Sequence, residues 1–99
     1  MKLRVGRQAQ AQADKIDDWW VENRPSAPAL FADELEATLR LIRSSPGAGV
    51  GWPTPRRPTL RRILMPRTQH HVYFRVDQAK KTVFVLAVWG APRGRGPKL

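Results

Sequence analysis

The segment Thr82–Trp89 reads as a strand that is apolar on both faces, with Val83, Val85 and Ala87 alternating against Phe84, Leu86 and Val88. Successive side chains on a strand point to opposite sides, so such a segment belongs inside a sheet rather than at its edge. The rest of a 99-residue chain, a length that suits one domain, must supply its neighbours.

Those neighbours are legible. His70–Val76 alternates, with Val72, Phe74 and Val76 on one face and His71, Tyr73 and Arg75 on the other. Leu60–Met65 reads as a further strand ended by Pro66, and Leu3–Val5 as a short first one. Between the first and second strands lie two helical stripes. Ala9, Ala13, Ile16 and Trp20 recur at helical spacing, and Asn23-Arg24-Pro25 stops that helix because proline restricts the residue before it. Ser26 is the expected N-cap of the second helix, with Leu30, Phe31, Leu35, Leu39 and Ile42 as its buried face and Ser45-Pro46-Gly47 as its stop. The short link between the helices implies an antiparallel hairpin. The expected fold is α+β, in the order β-α-α-β-β-β, with the hairpin packed on an antiparallel sheet. Residues 1–91 form the expected domain, and the Gly-, Pro- and Arg-rich residues 92–99 a basic flexible tail. Residues 46–59 read as a long loop whose Trp52 is expected to close over the core.

Charge is distributed unevenly. Residues 1–49 carry seven basic and seven acidic side chains, whereas residues 50–99 carry eleven basic ones against Asp77 alone. The whole net charge of +10 thus sits in the second half, which points to an anionic partner. The 99 residues contain no cysteine, which excludes disulfides, thiolate zinc sites and thiol catalysis. No apolar run reaches the roughly 18 residues of a membrane span. Met1–Arg7 lacks the apolar run of a signal peptide, so cytoplasm is the expected location.

Candidate chemistry is sparse. His70 and His71 point to opposite faces of one strand and cannot chelate a metal together, so no metal and no cofactor is expected. His71 shares its face with Tyr73 and Arg75, which leaves a general-base role open. Arg56, Arg57, Arg61, Arg62 and Arg67 form the strongest binding signal, since clustered guanidinium groups suit phosphate or carboxylate. On the strand Arg61 and Arg62 face opposite ways, so one flanks the core while the other joins Arg75 on a basic surface.

Several stretches in this order resemble a known family. They are Trp19-Trp20 with Asn23-Arg24-Pro25, Ala27-Pro28-x-Leu30-Phe31-x-x-Glu34-Leu35, Ser45-Pro46-x-x-Gly49 and Leu60-Arg61-Arg62. His71–Asp77 and Val83-x-Val85-Leu86-Ala87-Val88-Trp89-Gly90-Ala91-Pro92-Arg93 complete the set. Together they are similar to the RelE/ParE superfamily of bacterial type II toxins, over nearly the whole chain. The resemblance implies a growth inhibitor neutralised by a cognate antitoxin, in a toxin–antitoxin hetero-oligomer. It implies either a ParE-like poison of DNA gyrase without catalytic residues or a RelE-like ribosome-dependent mRNA endoribonuclease. RelE-like members often use a Tyr or His near the C-terminus; Val88–Arg93 has neither, which favours the ParE-like reading. If RNA were cleaved, Arg61, Arg62, Arg75, Tyr73 and His71 would be the catalytic candidates. The expected partner-binding residues are Arg56, Arg57, Arg61, Arg62, Arg67, Arg75, Trp89, Arg93 and Arg95. A non-toxic member that only binds antitoxin is the third alternative.

Overall fold

A computed structural model describes residues 1–91 and 96–99. The elements run β1 (Lys2–Val5), α1 (Arg7–Asn23), α2 (Leu30–Ser44), β2 (Val50–Gly51), β3 (Arg61–Met65), β4 (His70–Asp77) and β5 (Thr82–Gly90). They form one five-stranded sheet in the order β1-β5-β4-β3-β2, with both helices on one face. β5 has a neighbour on each edge, as its two apolar faces require.

The sheet is mixed. β2 to β5 are antiparallel in series, but β1 pairs with β5 in parallel, Leu3 opposite Val83. Parallel neighbours need a long crossover, and the helical hairpin opens the path that supplies it.

The core lies between the helices and the sheet. Ala9, Ala13 and Trp20 of α1 and Phe31 and Ile42 of α2 meet Met65, Val72, Phe74, Val83, Val85 and Val88. Ile16, Leu30, Leu35 and Leu39 close its margin, so both helical stripes face inward. Full burial of side chains like Phe31 or Phe74 stabilises by roughly 1.5–3 kcal/mol each.

Three local expectations are corrected. α2 starts at Leu30 with Ala29 as N-cap, not after Ser26. Pro25 and Pro28 lack backbone donors, and residues 24–30 instead form successive turns, with the amides of Ala27 and Leu30 donating to the carbonyls of Arg24 and Ala27. The second correction concerns β5, whose alternation slips. Tyr73 pairs with Ala87 but Phe74 pairs with Val85, so Leu86 is an extra residue in a bulge. Leu86 and Ala87 therefore both face away from the helices, and Val88 returns to the core. Third, part of the 46–59 loop is a hairpin. Val50 and Gly51 pair with Arg62 and Arg61, and the Trp52 amide donates to the Leu60 carbonyl at 2.8 Å.

Glu34 ties the helices to the sheet. Its carboxylate accepts from the amides of Arg67 and Thr68 at 2.8 and 2.9 Å and from the Thr68 hydroxyl at 2.7 Å. This secures the β3–β4 turn, where Gln69 adopts a positive φ of 61°. Among the described residues no helix is long and apolar enough to cross a membrane.

Candidate functional site

The face of the sheet turned away from the helices gathers the chemically distinctive side chains. Registers place Arg62 opposite Tyr73, Leu64 opposite His71, and His71 opposite Trp89. A second apolar cluster lies on this face, formed by Leu60, Tyr73 and Ala87 with Leu86, Trp89 and Leu99 packed on it. The bulge creates it, because only the slipped register turns Ala87 outward beneath Tyr73.

Arg62 organises the site. Its guanidinium lies 3.4 Å from the centroid of the Trp52 ring, and one of its amino groups donates to the Tyr73 hydroxyl at 3.3 Å. Trp52 is therefore an exposed contact, 45% accessible, and not a lid over the core. It cannot reach the core, because the pairing of Val50 with Arg62 puts the end of β2 on the outer side of the edge. Val50, Trp52 and Leu64 form an exposed apolar rim around Arg62.

The His71 ring meets that of Tyr73 edge-on, with centroids 6.0 Å apart. Burial, and then the nearby Arg62 charge, lower its pKa from 6.5. Both effects disfavour the imidazolium, so His71 is neutral at pH 7. Arg75 lies over the ring of its cross-strand partner Phe84, 4.3 Å from the centroid, beyond Tyr73 from Arg62.

Other residues singled out in the sequence lie elsewhere. Arg61 points to the opposite side of the sheet from Arg62, where it donates to the carbonyls of Gly47, Gly49 and Ala48 at 2.8, 3.2 and 3.4 Å. It anchors the chain leaving α2. Arg56 and Arg57 occupy the loop between β2 and β3, with Arg57 backbone-bonded to Thr54. Arg67 lies in the β3–β4 turn, at the opposite end of β4 from Arg75. Arg93 and Arg95 lie outside the described residues, as does part of the 92–99 tail. His70 turns toward the helices, its ring 5.1 Å from Phe31 and its Nδ1 3.1 Å from the Thr68 hydroxyl. Among the described residues no group of three or more His, Cys, Asp or Glu could hold a metal.

Sequence reasoning passed over Leu64, Val50 and Leu99. Leu64 had a usable signal, since it follows Arg62 by two positions on a strand and must share its face. Leu99 had none, because its contacts are with Thr54 and with the Leu60, Tyr73 and Ala87 cluster, which local spacing does not link to it.

Residues 3–93 match the family described as ParE toxin of type II toxin-antitoxin system, parDE. The chain belongs to the ParE toxin family. It is thus a toxin of the RelE/ParE superfamily, and solved structures agree in fold. A chain from the chromosomal ParDE TA system of P. aeruginosa is 23% identical, with a TM-score of 0.73 over 91% of this chain and 95% of that one. The isolated E. coli RelE toxin is 19% identical, with a TM-score of 0.61 over 94% and 86%. The RelBE2 toxin-antitoxin complex from Mycobacterium tuberculosis matches at 18% identity and 0.59 over 90% and 95%. No curated protein matches by sequence. In this ParE family member the outer sheet face is the candidate site, with the Arg62, Trp52, Tyr73 and His71 cluster at its centre.

Proposed function

We propose that this ParE family toxin inhibits growth by binding DNA gyrase, and that a cognate antitoxin with an acidic binding segment neutralises it. The observation that carries this reading is the condition of the outer face. Tyr73, the only tyrosine, has its hydroxyl bonded to Arg62, while Val50, Trp52 and Leu64 form an accessible apolar rim around that pair. Exposed apolar and aromatic groups around an arginine suit a protein-contact surface, and tryptophan and arginine are among the residues that dominate binding energies at interfaces. Arg61, one of the five catalytic candidates, is committed to loop carbonyls instead of the face. An acidic antitoxin segment complements the excess positive charge of residues 50–99.

The test is pulse labelling after controlled induction in a bacterial host, with DNA and protein synthesis followed together. DNA synthesis is expected to fail first, and purified toxin to inhibit gyrase supercoiling. Protein synthesis failing first would overturn the gyrase reading.

One observation favours endoribonuclease activity as a second reading. Arg62, Tyr73 and His71 are contiguous, and the lowered pKa of His71 leaves a neutral imidazole able to accept a proton from a ribose 2′-hydroxyl. Cleavage of message on translating ribosomes, abolished by His71→Gln, would establish it.

A further inference from the structure

The outer face is not bare. Gly96–Leu99, which is neither helix nor strand, lies across it. The Leu99 side chain packs on the Leu60, Tyr73 and Ala87 cluster, and a main-chain oxygen of Leu99 accepts from the Thr54 hydroxyl at 3.1 Å. Gly96 passes close to the Tyr73 hydroxyl, since a Cβ added at Gly96 would sit 3.5 Å from it. Gln8, Trp89, Gly96 and Lys98 border a half-open pocket of about 330 Å³ beside it.

We infer that Gly96–Leu99 is a displaceable strap that shields Tyr73 and must lift before a target engages this face. The inference rests on the reading of the outer face as the working surface of the toxin. Its physical basis is the weakness of the attachment relative to the surface beneath. Among the described residues, one partly buried leucine side chain and the Thr54 hydroxyl hold the strap, whereas the cluster under it is built on strand pairing. Segments with few buried contacts open at low cost and without global unfolding. When the strap lifts, Leu60, Tyr73 and Ala87 become a continuous apolar surface with the exposed rim of Trp52 and Leu64, and Arg62 stands at its centre. A partner would then gain apolar area that the closed form withholds, which makes strap and partner competitors for one surface.

Tyr73 gives a direct readout because it is the only tyrosine. The purified protein, Leu99→Ala and Leu99→Asp are treated with tetranitromethane, and nitrotyrosine is followed by absorbance. Circular dichroism and thermal melts confirm that each variant is folded. Nitration is expected to be slowest in the parent, faster in Leu99→Ala and fastest in Leu99→Asp, the last by about tenfold because a partly buried apolar anchor has been replaced by a charged side chain. Equal rates in all three folded proteins would overturn the strap, whether or not the protein poisons gyrase. Induced at matched levels, Leu99→Asp is expected to inhibit growth at lower expression than the parent. Faster nitration with unchanged or weaker growth inhibition would overturn the gating role. If even the parent leaves growth untouched, the toxin reading fails, while the nitration series still decides whether Tyr73 is shielded.

Discussion

Replacing Arg61 separates a structural arginine from a partner-binding one. Arg61 and Arg62 are adjacent, equally charged and equally plausible as anion contacts in the sequence. In the fold the Arg61 guanidinium spans the carbonyls of Gly47, Ala48 and Gly49 through a single amino group, Nη2. That nitrogen has two protons, so at most two of the three contacts are strong at once. A hydrogen bond to a charged group contributes about 1.5–3 kcal/mol, but two of these carbonyls lie in exposed surroundings and water can replace the donor. The Arg61 Nε is buried without a partner among the described residues, so its removal returns part of the loss. Arg61→Met keeps an apolar stem and removes all donors, with an expected net cost of about 2 kcal/mol. For a domain of this size that lowers the melting temperature by roughly 8–16 °C. Denaturant titration followed by tryptophan fluorescence measures it, with Arg61→Lys intermediate because its ammonium keeps a charged donor but ends short of the Nη2 position. Below its melting temperature Arg61→Met is expected to remain toxic. Unchanged stability together with lost toxicity would refute the reasoning and make Arg61 a contact residue.

Further outcomes follow from the same structure. Gly49→Ala should destabilise by more than about 1 kcal/mol, since φ there is +77° and the added Cβ would meet the Arg62 carbonyl oxygen, a collision that a melting curve reports. Glu34→Ala leaves the amides of Arg67 and Thr68 without their acceptor and should cost about 2 kcal/mol by denaturant titration, with faster hydrogen exchange in the β3–β4 turn. The folded-state pKa of His71 lies below its unfolded value of 6.5, so the unfolded chain binds more protons near pH 6. The stability this group contributes is present above pH 6.5 and is lost as the pH falls toward the folded value. His71→Gln should flatten that part of the stability profile between pH 5 and 7. Trp52→Ala should change stability by no more than about 1 kcal/mol, because the ring is exposed and its stacking on Arg62 is partly hydrated. It should nevertheless weaken growth inhibition if the rim meets the target; undiminished toxicity would remove Trp52 from the interface.

The helices, the strand order in the chain and the faces of β4 were legible because each depends on local spacing. Ala9, Ala13, Ile16 and Trp20 draw their stripe whatever the rest of the chain does, and Val72, Phe74 and Val76 must share a face on any strand. The start of α2 was not legible, because Ser26 is a good N-cap in isolation and only the turns built around Pro25 and Pro28 displace it. The role of Trp52 was also hidden. A tryptophan in a Gly- and Pro-rich segment suggests burial, and its stacking on Arg62 depends on the two-residue pairing of β2 with β3.

The sequence alone determined the α+β fold, with β5 inside its sheet and the excess charge in the second half. These follow from composition and from periods of two and 3.6 residues, which act over one or two turns or strands. Tertiary structure decided which of two adjacent arginines serves the fold and which the surface. It also decided that the slip at Leu86 turns Ala87 outward, and that Leu99 comes to rest over Tyr73. Each is a contact between residues far apart in the chain, set by strand register and by where the chain returns. No local pattern records those quantities.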